Sequence, residues 1–239
     1  MAKELSSLLE KRANSGYFKY HFPRFEILFD TVSHYHKDGF RILDIGRSGF
    51  TEALKSKFQN VDTLGFEREN ANSTSRHFNF NLNDCRDRSL WRTDIPKYDI
   101  IIFSEVIEHL CTSPSQVLSF LKTRLNKGGV IIIQTPNAVA LHKRLQVIFG
   151  RNPYELIREN YNRPGHIREY TKKELSSYLV GAGFNLLKFR YENHFDYRFS
   201  DHSKKNVLIK NDKRRVFNVI SSILPGPLKP GMFFVAQNP

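Results

Sequence analysis

Four short runs constrain most strongly what this chain can fold into. RILDIG (41–46), VDTLGFE (61–67), YDIIIFSE (98–105) and VIIIQTPN (130–137) are apolar without polar alternation. That is the pattern of strands covered on both faces by helices. HFNFNLND (77–84) is a weaker, alternating run. Helical spacing follows the first run in TEALKSKF and the third in a long stretch from SEVIEHL through LSFLKTRL. Strands and helices in turn imply βαβ units and a parallel α/β sheet.

On either side of this centre the pattern changes. Residues 4–12 and 24–36 carry apolar positions at helical spacing, with Gly16 and Pro23 between them, which predicts a helical segment over 1–37. After Pro136, ALHKRLQVIFG predicts a helix and RNPYELIRENYNRPGHIREY a polar loop. TKKELSSYLVGAGF predicts a helix with Thr171 as N-cap, Glu174 completing a capping box and Gly183 near its end. NLLKFRYE and GMFFVAQ are two closing strands, around a basic insertion (192–230) that includes Lys204, Lys205, Lys210, Lys213, Arg214 and Arg215. A length of 239 residues favours one domain.

Thirty-seven Lys and Arg against 24 Asp and Glu give a charge of +13, which suits an acidic partner such as nucleic acid, anionic lipid or an anionic sugar. Two cysteines exclude a disulfide scaffold and a four-cysteine zinc site. With no apolar leader and no stretch long enough to span a bilayer, the expected setting is the cytoplasm.

The first strand ends in Asp44-Ile45-Gly46-Arg47-Ser48-Gly49-Phe50. A glycine here lets a ligand approach the backbone, and the following helix offers free N–H groups. Ser48 and Thr51 stand where a dinucleotide fingerprint would have its second and third glycines, which disfavours a nicotinamide cofactor. Glu67, about 20 residues on, can accept both hydroxyls of a ribose, or is a surface acid. Asp84 can accept from an adenine amino group; alternatively Asn83 takes that place, or Asp84 is a simple turn acid.

Together RILDIGRSGF, VDTLGFE, YDIIIFSEVIEHL, NKGGVIIIQTPN and REYTKKELSSYLVGAGF resemble the class I S-adenosylmethionine-dependent methyltransferases, over roughly residues 40–190. The nearest groups are the ubiquinone-biosynthesis O-methyltransferases and the sugar or polysaccharide methyltransferases. The resemblance implies a Rossmann-like, seven-stranded, mostly parallel sheet with helices on both faces and an antiparallel last strand, GMFFVAQ. It makes 38–137 the cofactor-binding half and 138–239 the substrate side. Asp44, Ile45 and Gly46 would form the methionine-side turn, Glu67 would hold the ribose, and Asp84 would border the adenine. Ser104 and Glu105 would line the floor beneath the sulfonium. Ser48 and Phe50 depart from the family's D-x-G-x-G-x-G.

In SEVIEHL, read as the opening of a helix, Glu105, Glu108 and His109 stand at i, i+3 and i+4 and would share one face. They could hold a divalent cation with His142 or His166 as a fourth ligand, an idea the resemblance supports. Alternatively His109 is a general base without metal, or simply a hydrogen-bonding part of the wall. His166, Arg168 and Tyr170 are expected to contact the acceptor, with His166 a second base candidate; alternatively Arg168 and Glu169 pair locally and Tyr170 packs under the following helix. Val216, Val219, Ile220 and Ile223 fall on one helical face behind a basic start. That suits an interfacial helix on anionic membrane, or one that covers the core with solvated lysines. The expected activity is O-methylation of a small-molecule or saccharide hydroxyl. The alternatives are an RNA methyltransferase, suggested by the charge, and a non-catalytic cofactor-binding regulatory protein, suggested by the altered glycine turn.

Overall fold

A computed structural model describes residues 16–65, 76–160, 165–202 and 211–239. Seven strands form one sheet: β1 (Ile42–Ile45), β2 (Val61–Gly65), β3 (His77–Asn79), β4 (Tyr98–Ser104), β5 (Leu125–Pro136), β6 (Asn185–Glu192) and β7 (Gly231–Gln237). Their order is β3-β2-β1-β4-β5-β7-β6. β1 to β5 pair in parallel, and β7 runs antiparallel to both its neighbours, as expected of the Rossmann-like methyltransferase fold.

The missing alternation in the strand sequences has a direct cause. Ile100 and Ile102 enter one core and Ile101 and Phe103 the other, because successive side chains point to opposite faces. On one face lie α1 (Gly16–Tyr35) and α2 (Gly49–Lys57), contributing Phe25, Phe29, Phe50 and Leu54. On the other lie α3 (Pro114–Thr123) and α5 (Lys172–Gly181), contributing Val117, Leu121, Leu175 and Leu179. Each such side chain, fully buried, stabilises the fold by about 1.5–3 kcal/mol. Two further helices, α4 (Leu141–Ile148) and α6 (Asn211–Ile223), lie on the C-terminal side of the chain. Among the described residues no helix is long and apolar enough to cross a membrane.

Three expectations change. Pro23 does not separate two helices: α1 runs through it. The helix loses one hydrogen bond there, and its buried Phe18, Phe25, Leu28, Phe29 and Val32 compensate. SEVIEHL does not open a long helix. Glu105 leaves β4 at φ +53°, the only described non-glycine residue with a positive φ, and a single 3-10 turn (Ile107–His109) follows. α3 begins only at Pro114, which suits the first turn because its missing N–H is not needed there. NKGG, whose paired glycines read as a turn before the strand, lies inside β5, where pairing with β4 shifts register. The predicted helix over 4–12 lies outside the described residues. The capping box is as expected: Glu174 N donates to Thr171 Oγ1 at 3.3 Å, and Thr171 N donates to Glu174 Oε2 at 2.8 Å.

Candidate active site

A cavity of about 440 Å³ opens at the carboxyl edge of β1 and β4. Asp44, Ile45, Gly46, Ser104, Glu105, His109 and His166 all line it. Gly46 has φ +79°, and a Cβ there would sit 3.1 Å from Val106 Cγ2, so both backbone and space require glycine. Side chains replace the missing glycines of the turn. Ser48 caps α2 by accepting from Phe50 N at 3.2 Å, and Ser48 N donates to Thr51 Oγ1 at 2.9 Å. Thr51 Oγ1 donates in turn to Asp44 Oδ2 at 2.6 Å. Phe50 is drawn into the core, its ring stacked on Phe25 at 5.2 Å, so it walls the crevice rather than filling it. Burial pushes the Asp44 carboxyl up to about 7, against the Thr51 hydrogen bond and the charges of Arg24 and Lys55.

α1 closes this cavity through a ring of three residues. Arg24 Nη1 donates to Ser104 Oγ (3.3 Å), Ser104 Oγ to Gln134 Oε1 (2.9 Å), and Gln134 Nε2 back to Arg24 O (3.3 Å). Arg24 Nε is buried with no hydrogen-bond partner among the described residues, although its side chain borders the cavity. Asn83 lines the cavity and Asp84 does not. Glu67 lies outside the described residues.

The three groups of SEVIEHL do not share a face. The left-handed turn at Glu105, fastened by its N–H donating to Gln134 O at 2.8 Å, sets Glu105 apart. Its Oε1 lies 3.4 Å from Nδ1 of His194, a wholly buried imidazole packed against Gly231. Burial raises the Glu105 carboxyl, but His194, Arg24 and His166 outweigh that and leave it below the ordinary range. Burial and the Glu105 charge push Glu108 well above it.

Glu108, His109 and His166 come together instead, each with a ligand atom within 4.8 Å of the others. His109 Nδ1 donates to Gly165 O at 2.6 Å, and His166 Nδ1 donates to Glu169 Oε1 at 2.9 Å. A carbonyl and a carboxylate can only accept, so in each neutral ring the basic nitrogen is Nε2. Glu108 Oε2 accepts from Thr135 Oγ1 at 3.1 Å, whereas the buried Oε1 has no hydrogen-bond partner among the described residues and lies 4.0 Å from His109 Nε2. Burial, with the His109 charge, lowers His166 below the ordinary histidine range. Behind it, buried Lys143 forms an ion pair with Glu169.

His166 also borders a second cavity, of about 670 Å³, shared with Tyr154, Leu156, Arg168 and Glu169. Tyr170 is buried in the core instead, and His142 is not in the cluster. Sequence reasoning missed Arg24, Lys143, Glu169 and His194. Only Glu169 left a signal, an acid three residues after His166.

The crevice outside the carboxyl ends of a Rossmann-like sheet defines a class of nucleoside-binding α/β enzymes. The sequence narrows the class: a methyltransferase-domain family matches residues 15–188. The chain belongs to that family, whose methyl donor is S-adenosylmethionine. No curated protein matches it. The fold is similar to that of an S-adenosylmethionine-dependent methyltransferase from Archaeoglobus fulgidus (18% identity, TM-score 0.55, 97% of this chain and 98% of that one). It is also similar to one from Clostridium acetobutylicum (13%, TM-score 0.57, 98% and 98%). A third similar fold is that of the [4+2]-cyclase SpnF (12%, TM-score 0.54, 99% and 95%).

Proposed function

We propose that this enzyme methylates a hydroxyl oxygen of a small molecule or saccharide, with a divalent cation held by Glu108, His109 and His166. One observation carries the reading: two imidazoles have Nδ1 tied to acceptors and Nε2 free, beside a buried carboxylate oxygen without a hydrogen-bond partner. Ligating histidines need such outer partners to fix tautomer and orientation. Two imidazoles and a carboxylate suit manganese or zinc better than magnesium. A bound cation lowers the pKa of a coordinated hydroxyl.

S-adenosylmethionine supplies a methyl group that already carries its leaving group. The chain's residues then have to bind and align. Gly46 gives the methionine end close backbone approach, Asp44 faces its ammonium, and Arg24 Nε is the buried donor for its carboxylate. Glu67 takes the ribose. Ser104 and ionised Glu105 form the floor under the positive sulfur. Aligning acceptor behind methyl is worth roughly 7–11 kcal/mol of the barrier. The hydroxyl proton passes to water as the oxygen–carbon bond forms and the carbon–sulfur bond breaks, its electron pair staying on the sulfur of S-adenosylhomocysteine. Should the site work without metal, His166 Nε2, neutral at pH 7 and backed by Glu169, is the base.

Glu108→Gln and His166→Ala should each lower turnover about 10²–10⁴-fold, with S-adenosylhomocysteine affinity within about twofold of the parent. Calorimetric titration with manganese and zinc should show binding that tightens as pH rises, because Glu108 must lose its proton. Full activity in chelator removes the metal and leaves His166 as base. Labelled methyl incorporation across saccharides, phenols and RNA tests the acceptor class, and incorporation into RNA alone overturns it.

A further inference from the structure

Two neighbouring helices of this protein are packed inside out. In α6 the one fully buried residue among those described is polar, Ser221 at 1% exposure; Asn218 Oδ1 accepts from Tyr197 N at 3.2 Å, and of the apolar side chains only Phe217 turns inward, edge-on to Tyr197 at 4.6 Å. Val216, Val219, Ile220 and Ile223 face outward, Ile223 at 74% exposure. In α4 the buried side chain is Lys143, while Leu145, Val147 and Ile148 are exposed. Phe149 (74%) and Leu156 (87%) extend that apolar surface beyond the helix. The rings of His142 and Phe217 lie 6.4 Å apart, so the two surfaces adjoin. A helix of a water-bathed domain normally shows the reverse distribution. The expectation that α6 covers the core is therefore overturned, because its apolar residues are not in the core.

Charge identifies the occupant. Residues 141–151 contain no acid and include exposed Arg144 and Arg151. Residues 211–231 contain one acid, Asp212, against Lys213, Arg214, Arg215 and Lys229. We propose that this face docks on an anionic lipid bilayer, with the valines, isoleucines and Phe149 among the acyl chains and the exposed Arg144 and Arg151 at the phosphates. A second copy of the chain would bring the same positive surface against it, which like-charge repulsion opposes. The face reaches the rim of the second cavity, which Leu156 and Ile157 line. The proposal is independent of which hydroxyl is methylated.

Flotation of the full chain with phosphatidylcholine vesicles, with and without phosphatidylglycerol, tests it. Binding is expected only with the anionic lipid, and should fall as salt is raised. Val219→Glu with Ile223→Glu should weaken it about tenfold or more, with circular dichroism and melting temperature unchanged. Arg151→Ala should weaken it about fivefold. If the double variant is insoluble, Ile148→Gln with Phe149→Gln serves on the other helix. No flotation at low salt, equal binding to neutral vesicles, or binding insensitive to these variants overturns the proposal. So does a parent that ignores vesicles yet sediments as a dimer that the same substitutions dissolve.

Discussion

Helix α2, which follows β1, and helix α4, which comes after β5, distribute their side chains in opposite ways. α2 buries Phe50, Thr51, Ala53 and Leu54 and leaves Lys55 and Lys57 outside the core. α4 buries Lys143 and leaves Leu145, Val147 and Ile148 in solvent. Removing apolar area from water stabilises a fold by about 25 cal/mol per Å², and α2 collects that gain. α4 forgoes it, and its lysine gains instead an ion pair with Glu169, which in turn orients His166. The difference teaches that α2 is organised for stability, whereas α4 leaves its apolar side exposed and turns its lysine into a buried ion pair beside His166.

Three sets of substitutions break or sharpen this contrast. The largest effect is expected of Lys143→Met, which leaves Glu169 buried without its cation and should cost about 3–5 kcal/mol in denaturant unfolding. It also removes a positive charge that depresses His166, so the acid limb of the pH–rate profile should move to higher pH. Lys143→Met with Glu169→Gln should recover most of the stability but not the turnover. Recovery of both would mean that the pair has no part in the site. Next, Leu54→Ala in α2 should cost about 2–5 kcal/mol, whereas Ile148→Ala in α4 should change stability by less than about 0.5 kcal/mol. Equal losses would contradict the inside-out packing.

A smaller effect than these losses, and of opposite sign, is expected at Asp44. Its folded carboxyl titrates near 7 against an ordinary 3.8, so between those values the folded state binds more protons than the unfolded one. The stability this contributes is complete below about pH 4 and is lost as pH rises through 7. Asp44→Asn should therefore raise the melting temperature of the ligand-free enzyme at pH 8, by an amount equivalent to about 1 kcal/mol, while weakening S-adenosylhomocysteine binding. A melting temperature unchanged at pH 8 would show that Asp44 is not held charged at a cost.

The strands were legible because burial on both faces leaves a contiguous apolar run, and the Thr171 cap because it is a purely local exchange of hydrogen bonds. The site was legible only in part. Spacing i, i+3, i+4 in SEVIEHL fits a helix, yet nothing in the letters reveals that Glu105 adopts a left-handed backbone and parts from Glu108. Arg24 reaches Ser104 across 80 positions, and His194 reaches Glu105 across a comparable gap. No local pattern records such meetings.

What the amino-acid order determined by itself is the alternation of strand and helix, the glycine turn after β1 and the capping of α5, since each depends on neighbours within a few residues. Tertiary structure alone decided which carboxylate keeps its charge, which histidine nitrogens are free, and which helices turn their apolar side outward. Desolvation and charge pairing act through space, between groups that the chain brings together only when the sheet is complete.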